Sequence, residues 1–330
     1  MKQLFEQLFA GEVLTKEQTY SIMENIGQGQ LSHGEIAALL TVFCMRPIST
    51  MEFLGFRTAL YDLCKKVNLE GDERIDIVGS GGDGKNTFNI STLSCFVVAG
   101  AGYKVSKHGN YASTSISGSS NVLQSLGYQF TNDESLLNRQ LSEANICFLH
   151  APLFHPAMGQ VAPVRKALPF KTFFNIMGPT INPSQPSAYL LGAYSKTVAS
   201  LYAEVMEKAG YGFTVVHNID GYDEVSLTDG FLKINAQGQE ILFPTDIGFQ
   251  QIGQEDLYSG DTIDSAKTIF LNVLENKSTS AQKNVVLVNS GLAIQTLCPE
   301  KSISDCIAEA EESLQSGKAK QTLTNLLNAQ

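Results

Sequence analysis

Three polar segments carry residue types suited to a phosphorylated substrate. The first, Gly79-Ser80-Gly81-Gly82-Asp83-Gly84-Lys85-Asn86-Thr87-Phe88-Asn89-Ile90-Ser91-Thr92, sets four glycines in six positions behind the apolar run Ile75 to Val78. Glycines let a backbone approach an oxyanion closely, and the helix expected after them offers unpaired N–H groups at the positive end of its dipole. A tight strand-to-helix turn that binds nothing is the plainer alternative; the glycine density, with Asn and Ser or Thr behind it, argues against it. Two nucleotide motifs nearly fit. Gly79, Gly81 and Gly84 satisfy GxGxxG, but a dinucleotide site also needs an acidic residue about 20 positions on, and no Asp or Glu occurs between Asp83 and Asp133. Gly79 to Lys85 follows a Walker loop until Asn86 stands where Ser or Thr should bind magnesium.

The second segment is Lys107-His108-Gly109-Asn110-Tyr111-Ala112, continuing through Ser113, Thr114 and Ser115 to Ser119. Lys107 supplies a point charge, Asn110 both donors and acceptors, and the small residues leave a ligand room to approach the backbone. A flexible linker is the competing reading. Val122, Leu123 and Leu126 follow at helical spacing, which makes the run the approach to a packed helix. His108 suggests acid or base chemistry, and a structural or ligand-shaping role is at least as plausible. His150 and His155 have neither zinc spacing nor an evident third ligand. The third segment runs from the apolar Phe213 to Val216 into Asp220-Gly221-Tyr222-Asp223-Glu224. Adjacent carboxylates after a strand can hold magnesium and so offset the charge of a pyrophosphate. An acidic pair alone is usually solvated surface charge; two phosphate-type loops in the same chain raise its significance.

These segments need rigid elements behind them. Met1 to about Val67 reads as helical throughout, with Ser32 and Glu35 resembling a capping box. After Gly71, β-rich runs at Ile75–Val78, Tyr103–Val105, Ile146–Leu149, Leu190–Gly192 and Phe213–Val216 alternate with helices, the rhythm of an α/β sheet domain. Proline-rich Phe154 to Pro186 interrupts it, which suggests a return to the helical unit and a discontinuous boundary. Phe231 to Phe243 reads as a hairpin turning at Ala236 to Gln239, and Ile303 to Leu326 as a closing helical region. The domains expected are therefore residues 1–70, joined by part of 160–186, and residues 71–330.

The 330 residues suffice for a substantial core, and 43% are hydrophobic with no run near membrane-spanning length. No signal-peptide pattern opens the sequence, so a soluble cytoplasmic protein is expected. Six cysteines without a CxxC pair suggest buried reduced thiols. A formal charge of −10 argues against nucleic acid or anionic membrane as a main partner. An anionic substrate must therefore find a local site.

Together the segments resemble the anthranilate phosphoribosyltransferase family, whose pattern joins a GTGGD loop, TFNIS, KHGN and DGxDE in this order. His155 to Met158, Val161 to Arg165 and Asn175 to Pro183 also look like family segments, so the resemblance covers nearly the whole chain. It implies a small all-helical N-terminal domain and a large α/β domain with a central sheet flanked by helices, a nucleoside phosphorylase/phosphoribosyltransferase-like fold, usually as a homodimer. By the same resemblance, phosphoribosyl pyrophosphate would meet Gly79, Gly82, Asp83, Thr87, Asn89, Ile90, Ser91, Thr92, Lys107, His108, Gly109, Asn110, Tyr111, Ala112, Ser113, Thr114, Ser115 and Ser119. Magnesium would fall to Ser91, Asp223 and Glu224, and anthranilate to Gly79, Asn110 and Arg165, whose fork of donors suits a carboxylate. No side chain is implied as acid or base; Asp223 and Glu224 would act through the metal. The sequence departs from the commonest family form at Ser80 (for Thr), Tyr111 (for Arg), Thr180 (for Leu) and Asn218 (for Gly). Tyr111 removes a cation near the ligand. A pyrimidine nucleoside phosphorylase is the nearest rival, disfavoured by the KHGN segment. A non-catalytic or nucleic-acid-binding relative and a nucleotide-dependent dehydrogenase are more distant.

Overall fold

A computed structural model describes residues 2–112 and 116–330. Four helices come first: α1 (Lys2–Phe9), α2 (Lys16–Gly27), α3 (His33–Met45) and α4 (Thr50–Asp62). Thr15 with Gln18, Ser32 with Glu35 and Ser49 with Glu52 form reciprocal capping boxes at the starts of α2, α3 and α4, satisfying N–H groups that a helix start leaves open.

The chain then alternates through β1 (Arg74–Gly79), α5 (Ile90–Gly100), β2 (Lys104–Gly109), α6 (Ser119–Ser125), α7 (Glu134–Ala144) and β3 (Ile146–His150). Three short helices follow, α8 (Ala151–Phe154), α9 (Met158–Ala167) and α10 (Phe174–Met177). The sheet resumes with β4 (Ala188–Gly192), α11 (Lys196–Ala209), β5 (Gly212–Asn218), β6 (Phe231–Asn235) and β7 (Gly238–Leu242). Helices α12 (Ile263–Leu274), α13 (Ser280–Leu297), α14 (Ile303–Gln315) and α15 (Lys318–Asn328) close the chain. Each expected strand is present and somewhat longer than its apolar run. The hairpin turn is tighter than expected, because Asn235 pairs with Gly238 and leaves only Ala236 and Gln237 in the loop. The closing region is two helices, separated at Gly317, which sits at φ +79° where a helix readily stops.

Among the described residues seven strands form one sheet, in the order β3-β2-β1-β4-β5-β6-β7. The first five are parallel, and β6 and β7 add antiparallel. The chain leaves β1 toward β2 and later returns on its other side as β4, so β1 and β4 mark the switch point outside whose carboxyl ends ligands gather. One sheet face is covered by α5 and α12 to α15 around Phe96, Phe270, Val288 and Leu314. On the other, Tyr189, Leu191, Phe213 and Val215 share a core with the first four helices, α9 and α11. Helix α9 packs on α2 and α3. This is the expected arrangement of a small N-terminal helical part and a large α/β part.

All six cysteines are unpaired, and four are buried. Cys44 corrects the expectation of buried thiols. It is exposed near the end of α3, where its Sγ donates to the Lys171 carbonyl at 3.4 Å.

Candidate active site

At the carboxyl ends of β1 and β4, Gly79 pairs with Gly192. A Cβ on either would overlap Asp223, at its carboxylate for Gly79 and at its carbonyl for Gly192. The bare backbone there admits the acidic loop that follows β5. Beyond β1 the chain turns through Gly81, Gly82 and Gly84, all at positive φ, where a side chain would be strained. The Gly81 N–H donates to Asp223 Oδ2 at 2.6 Å, and Thr87 Oγ1 to Glu224 Oε1 at 3.1 Å. The first and third sequence segments are thereby stitched together.

Helix α5 starts at Ile90 with no side-chain cap, because the Asn89 amide instead donates to the Ser117 carbonyl at 2.9 Å. Its first turn is left free for an anion, and Asn89 joins the glycine loop to the second segment. In that segment Asn121 Oδ1 accepts from the N–H groups of Ala112 and Gly118 at 2.9 and 3.0 Å. Ala112 and Gly118 are thus both tied to the first turn of α6. The glycine loop is backed by residues the sequence reading did not identify: Asn86 bonds Ser259 Oγ and the Gly260 carbonyl, and Phe88 N–H the Leu257 carbonyl. These partners lie far along the chain in a stretch without a motif.

Every predicted site residue that the structure describes lines one cleft of about 650 Å³: the glycine loop through Thr92, Lys107 to Ala112, Ser119, Arg165, Asp223 and Glu224. Ser113, Thr114 and Ser115 lie outside the described residues. Lys107 is buried and donates to the Ile77 carbonyl. Behind it, buried Asp76 accepts from the His108 N–H at 3.2 Å and from Asn182 Nδ2 at 2.9 Å; burial pushes its carboxyl up to about 6. Arg165 sits in the last turn of α9, where burial lowers its pKa from the usual arginine value. The cleft also contains His155, Lys171, Asn175, Gly178 and Tyr194. His155 was weighed only as a zinc ligand and as part of a longer family segment, Asn175 only as part of such a segment, and Lys171 carried no motif at all.

The electrostatics centre on three carboxyl groups. Burial raises the pKa of Asp83, of Asp223 and of Glu224; the Asp83 charge adds to Asp223, and those of Asp223 and Asp83 to Glu224. Asp220 has a different task. It accepts from Asn218 Nδ2 at 2.6 Å and Thr228 Oγ1 at 2.7 Å, so the Asn at 218 shapes the acidic loop. Tyr111, the other marked departure, is exposed, and its ring packs edge-on against His150 at 4.8 Å.

The Glycosyl transferase family, a/b domain, matches residues 71–320, and the Glycosyl transferase family, helical bundle domain, matches residues 2–64. An anthranilate phosphoribosyltransferase of Cytophaga hutchinsonii is 51% identical over 97% of both chains. This chain belongs to the anthranilate phosphoribosyltransferase family. A Bacteroides fragilis member is 49% identical over 98% of both chains. Among solved structures, the Thermus thermophilus enzyme superposes with a TM-score of 0.93 at 31% identity, covering 98% of each chain. The Saccharomyces cerevisiae enzyme in complex with PRPP and Mg gives 0.91 at 27% identity, covering 98% of this chain and 96% of that one.

Proposed function

We propose that this family member transfers the phosphoribosyl group of 5-phosphoribosyl 1-pyrophosphate to the amine of anthranilate. The products are pyrophosphate and N-(5-phosphoribosyl)anthranilate, in L-tryptophan biosynthesis. The observation that carries the reading is the convergence of two phosphate-type loops, an acidic pair and Arg165 on one cleft. Breaking the anomeric bond builds positive charge on the sugar and negative charge on the leaving group. The glycine loop and the start of α5 would hold the pyrophosphate, the segment from Lys107 to Ser119 the ribosyl phosphate, and Arg165 with Asn110 the anthranilate carboxylate. The amine is already a nucleophile, so these residues need only orient it and exclude water.

The donor set fits magnesium. Burial raises the proton affinity of both Asp223 and Glu224, and the charge of Asp83 adds to each and that of Asp223 to Glu224, a cost that a bound cation would relieve. Among the described residues no group of three or more His, Cys, Asp or Glu is arranged to hold a metal unaided. Magnesium characteristically takes one or two carboxylates and completes its shell with substrate phosphates and water; Ser91 of α5, in the same cleft, would be the third protein ligand. Bound there, it would neutralise the diphosphate.

Residues 1–70 with part of 160–186 would then form a small domain facing the large one, 71–330, across the cleft. A cytoplasmic homodimer completes the reading, and exposed Phe9, Val13 and Met45 on the helical part are apolar surface that a second copy could cover. No described helix is long and apolar enough to cross a membrane.

The direct test mixes protein, magnesium, anthranilate and phosphoribosyl pyrophosphate and follows the loss of anthranilate fluorescence. Magnesium-dependent loss is expected; a folded protein that leaves the fluorescence unchanged refutes the assignment. Asp223→Asn with Glu224→Gln should lower turnover and the magnesium response together, and unchanged kinetics would remove the metal role.

A further inference from the structure

Among the described residues, four lysine and arginine side chains line the cleft: Lys85, Lys107, Arg165 and Lys171. Lys107 is buried and belongs to the segment already given to the ribosyl phosphate, and Lys85 Nζ lies over the Tyr222 ring, 4.6 Å from its centre. Arg165 is matched to a carboxylate. Lys171 remains without a role, and its placement is specific.

Lys171 stands in the segment between α9, which carries Arg165, and α10. Its Nζ reaches the glycine loop and donates to the Gly82 carbonyl at 2.5 Å, 5.5 Å from the centre of the Tyr194 ring. A Cβ at Gly82 would come within 3.1 Å of this ammonium, so the two lie in close contact. The same loop is also held by Asp223 through the Gly81 N–H. Behind Lys171, Thr172 N–H donates to Asn175 Oδ1 at 3.0 Å. One loop is therefore gripped both by the metal-side acid and by the segment bearing the acceptor-side arginine.

We propose that Lys171 is a further pyrophosphate-binding residue that couples the two substrate sites. Its ammonium leaves the neutral Gly82 carbonyl for a diphosphate oxygen at the glycine loop and draws the Arg165 segment with it. The bond to the carbonyl has only one charged partner, whereas a diphosphate oxygen adds the attraction between opposite charges. Lys171 is exposed, so the exchange sacrifices little burial, and a lysine's flexible stem allows its charge to move. This inference rests on the function proposed above.

The test is calorimetric titration of magnesium with inorganic pyrophosphate into the wild type, Lys171→Met and Lys171→Arg, then of anthranilate with and without pyrophosphate. Lys171→Met should weaken pyrophosphate binding roughly tenfold and reduce the effect of pyrophosphate on anthranilate affinity. Lys171→Arg, which keeps the charge, should restore both and guards against a folding loss. A Lys171→Met protein within twofold of the wild type in both measurements overturns the role while the function stands. Weaker pyrophosphate binding with the coupling intact overturns the coupling. A wild type that binds no pyrophosphate overturns the functional reading, and this inference with it.

Discussion

At Gly192 the sheet has no room for a methyl group, since a Cβ would overlap the backbone carbonyl of Asp223. Backbone cannot rotate away as a side-chain tip can, so Gly192→Ala must push the acidic loop off the strand ends. The expected cost is about 1–3 kcal/mol of stability, with a weaker response to magnesium because Asp223 moves. Gly34→Ala is the matched control: only Ser32 Oγ lies near, at 3.9 Å, and α3 should tolerate alanine or gain from it. Thermal melts and magnesium titrations of both variants check this; equal behaviour would mean that the loop adapts freely. Gly79 and the Asp223–Glu224 pair were legible because each belongs to a contiguous motif. Gly192 was not, because its constraint arises from strand pairing with a segment distant in sequence. Asn218 stood out as a departure, but its hydrogen bonds to Asp220 and Ser226 arise only once the loop folds back on itself.

Among the elements, β-branched and apolar runs marked the strands well, because a parallel sheet buried on both faces writes itself as continuous apolar sequence. Helix α13 was harder to see. Residues Val285 to Ile294 are all buried, so it lacks the one-sided stripe that distinguishes an amphipathic helix. Helix starts were written locally, and α4 shows what one cap can hold. Glu52 is fully buried and accepts from Arg46 at 2.5 and 2.9 Å, from the Ser49 N–H at 2.9 Å and from the Leu14 N–H at 3.0 Å. Burial alone would raise its carboxyl, but Arg46 and these N–H groups outweigh it and hold the pKa below its ordinary value. Glu52→Ala would leave those donors unmet and should cost on the order of 3 kcal/mol, measurable by urea denaturation. A depressed carboxyl pKa contributes stability above about pH 4.5 that is lost as pH falls below it. Glu52→Gln should therefore flatten the acid limb of the stability profile; a limb as steep as the wild type's would assign that loss elsewhere.

Across the whole molecule, two neutral histidines occupy the seam between the sheet and the segment that leads into α9 and α10. His108, on β2, and His155, just before α9, are both buried, with ring centres 5.1 Å apart. The Gly178 carbonyl can only accept, so the His108 proton resides on Nδ1, which donates to it at 3.2 Å. Among the described residues, His108 Nε2 and both ring nitrogens of His155 have no hydrogen-bond partner. Burial, followed by the neighbouring His155, pulls the His108 pKa well down, and burial lowers that of His155 to about 4. A depressed histidine binds fewer protons folded than unfolded, so its stabilising contribution is complete above about pH 6.5 and is lost as pH falls toward 4. For His155 the shift corresponds to roughly 3 kcal/mol. Because the pair lies where the helical part meets the sheet, its protonation strains the packing that frames the cleft. His155→Phe retains a ring and removes the titration, so its melting temperature should fall less than the wild type's between pH 6.5 and 4. Circular-dichroism melts across that range decide the matter: parallel profiles would mean that acid breaks the fold somewhere other than this seam.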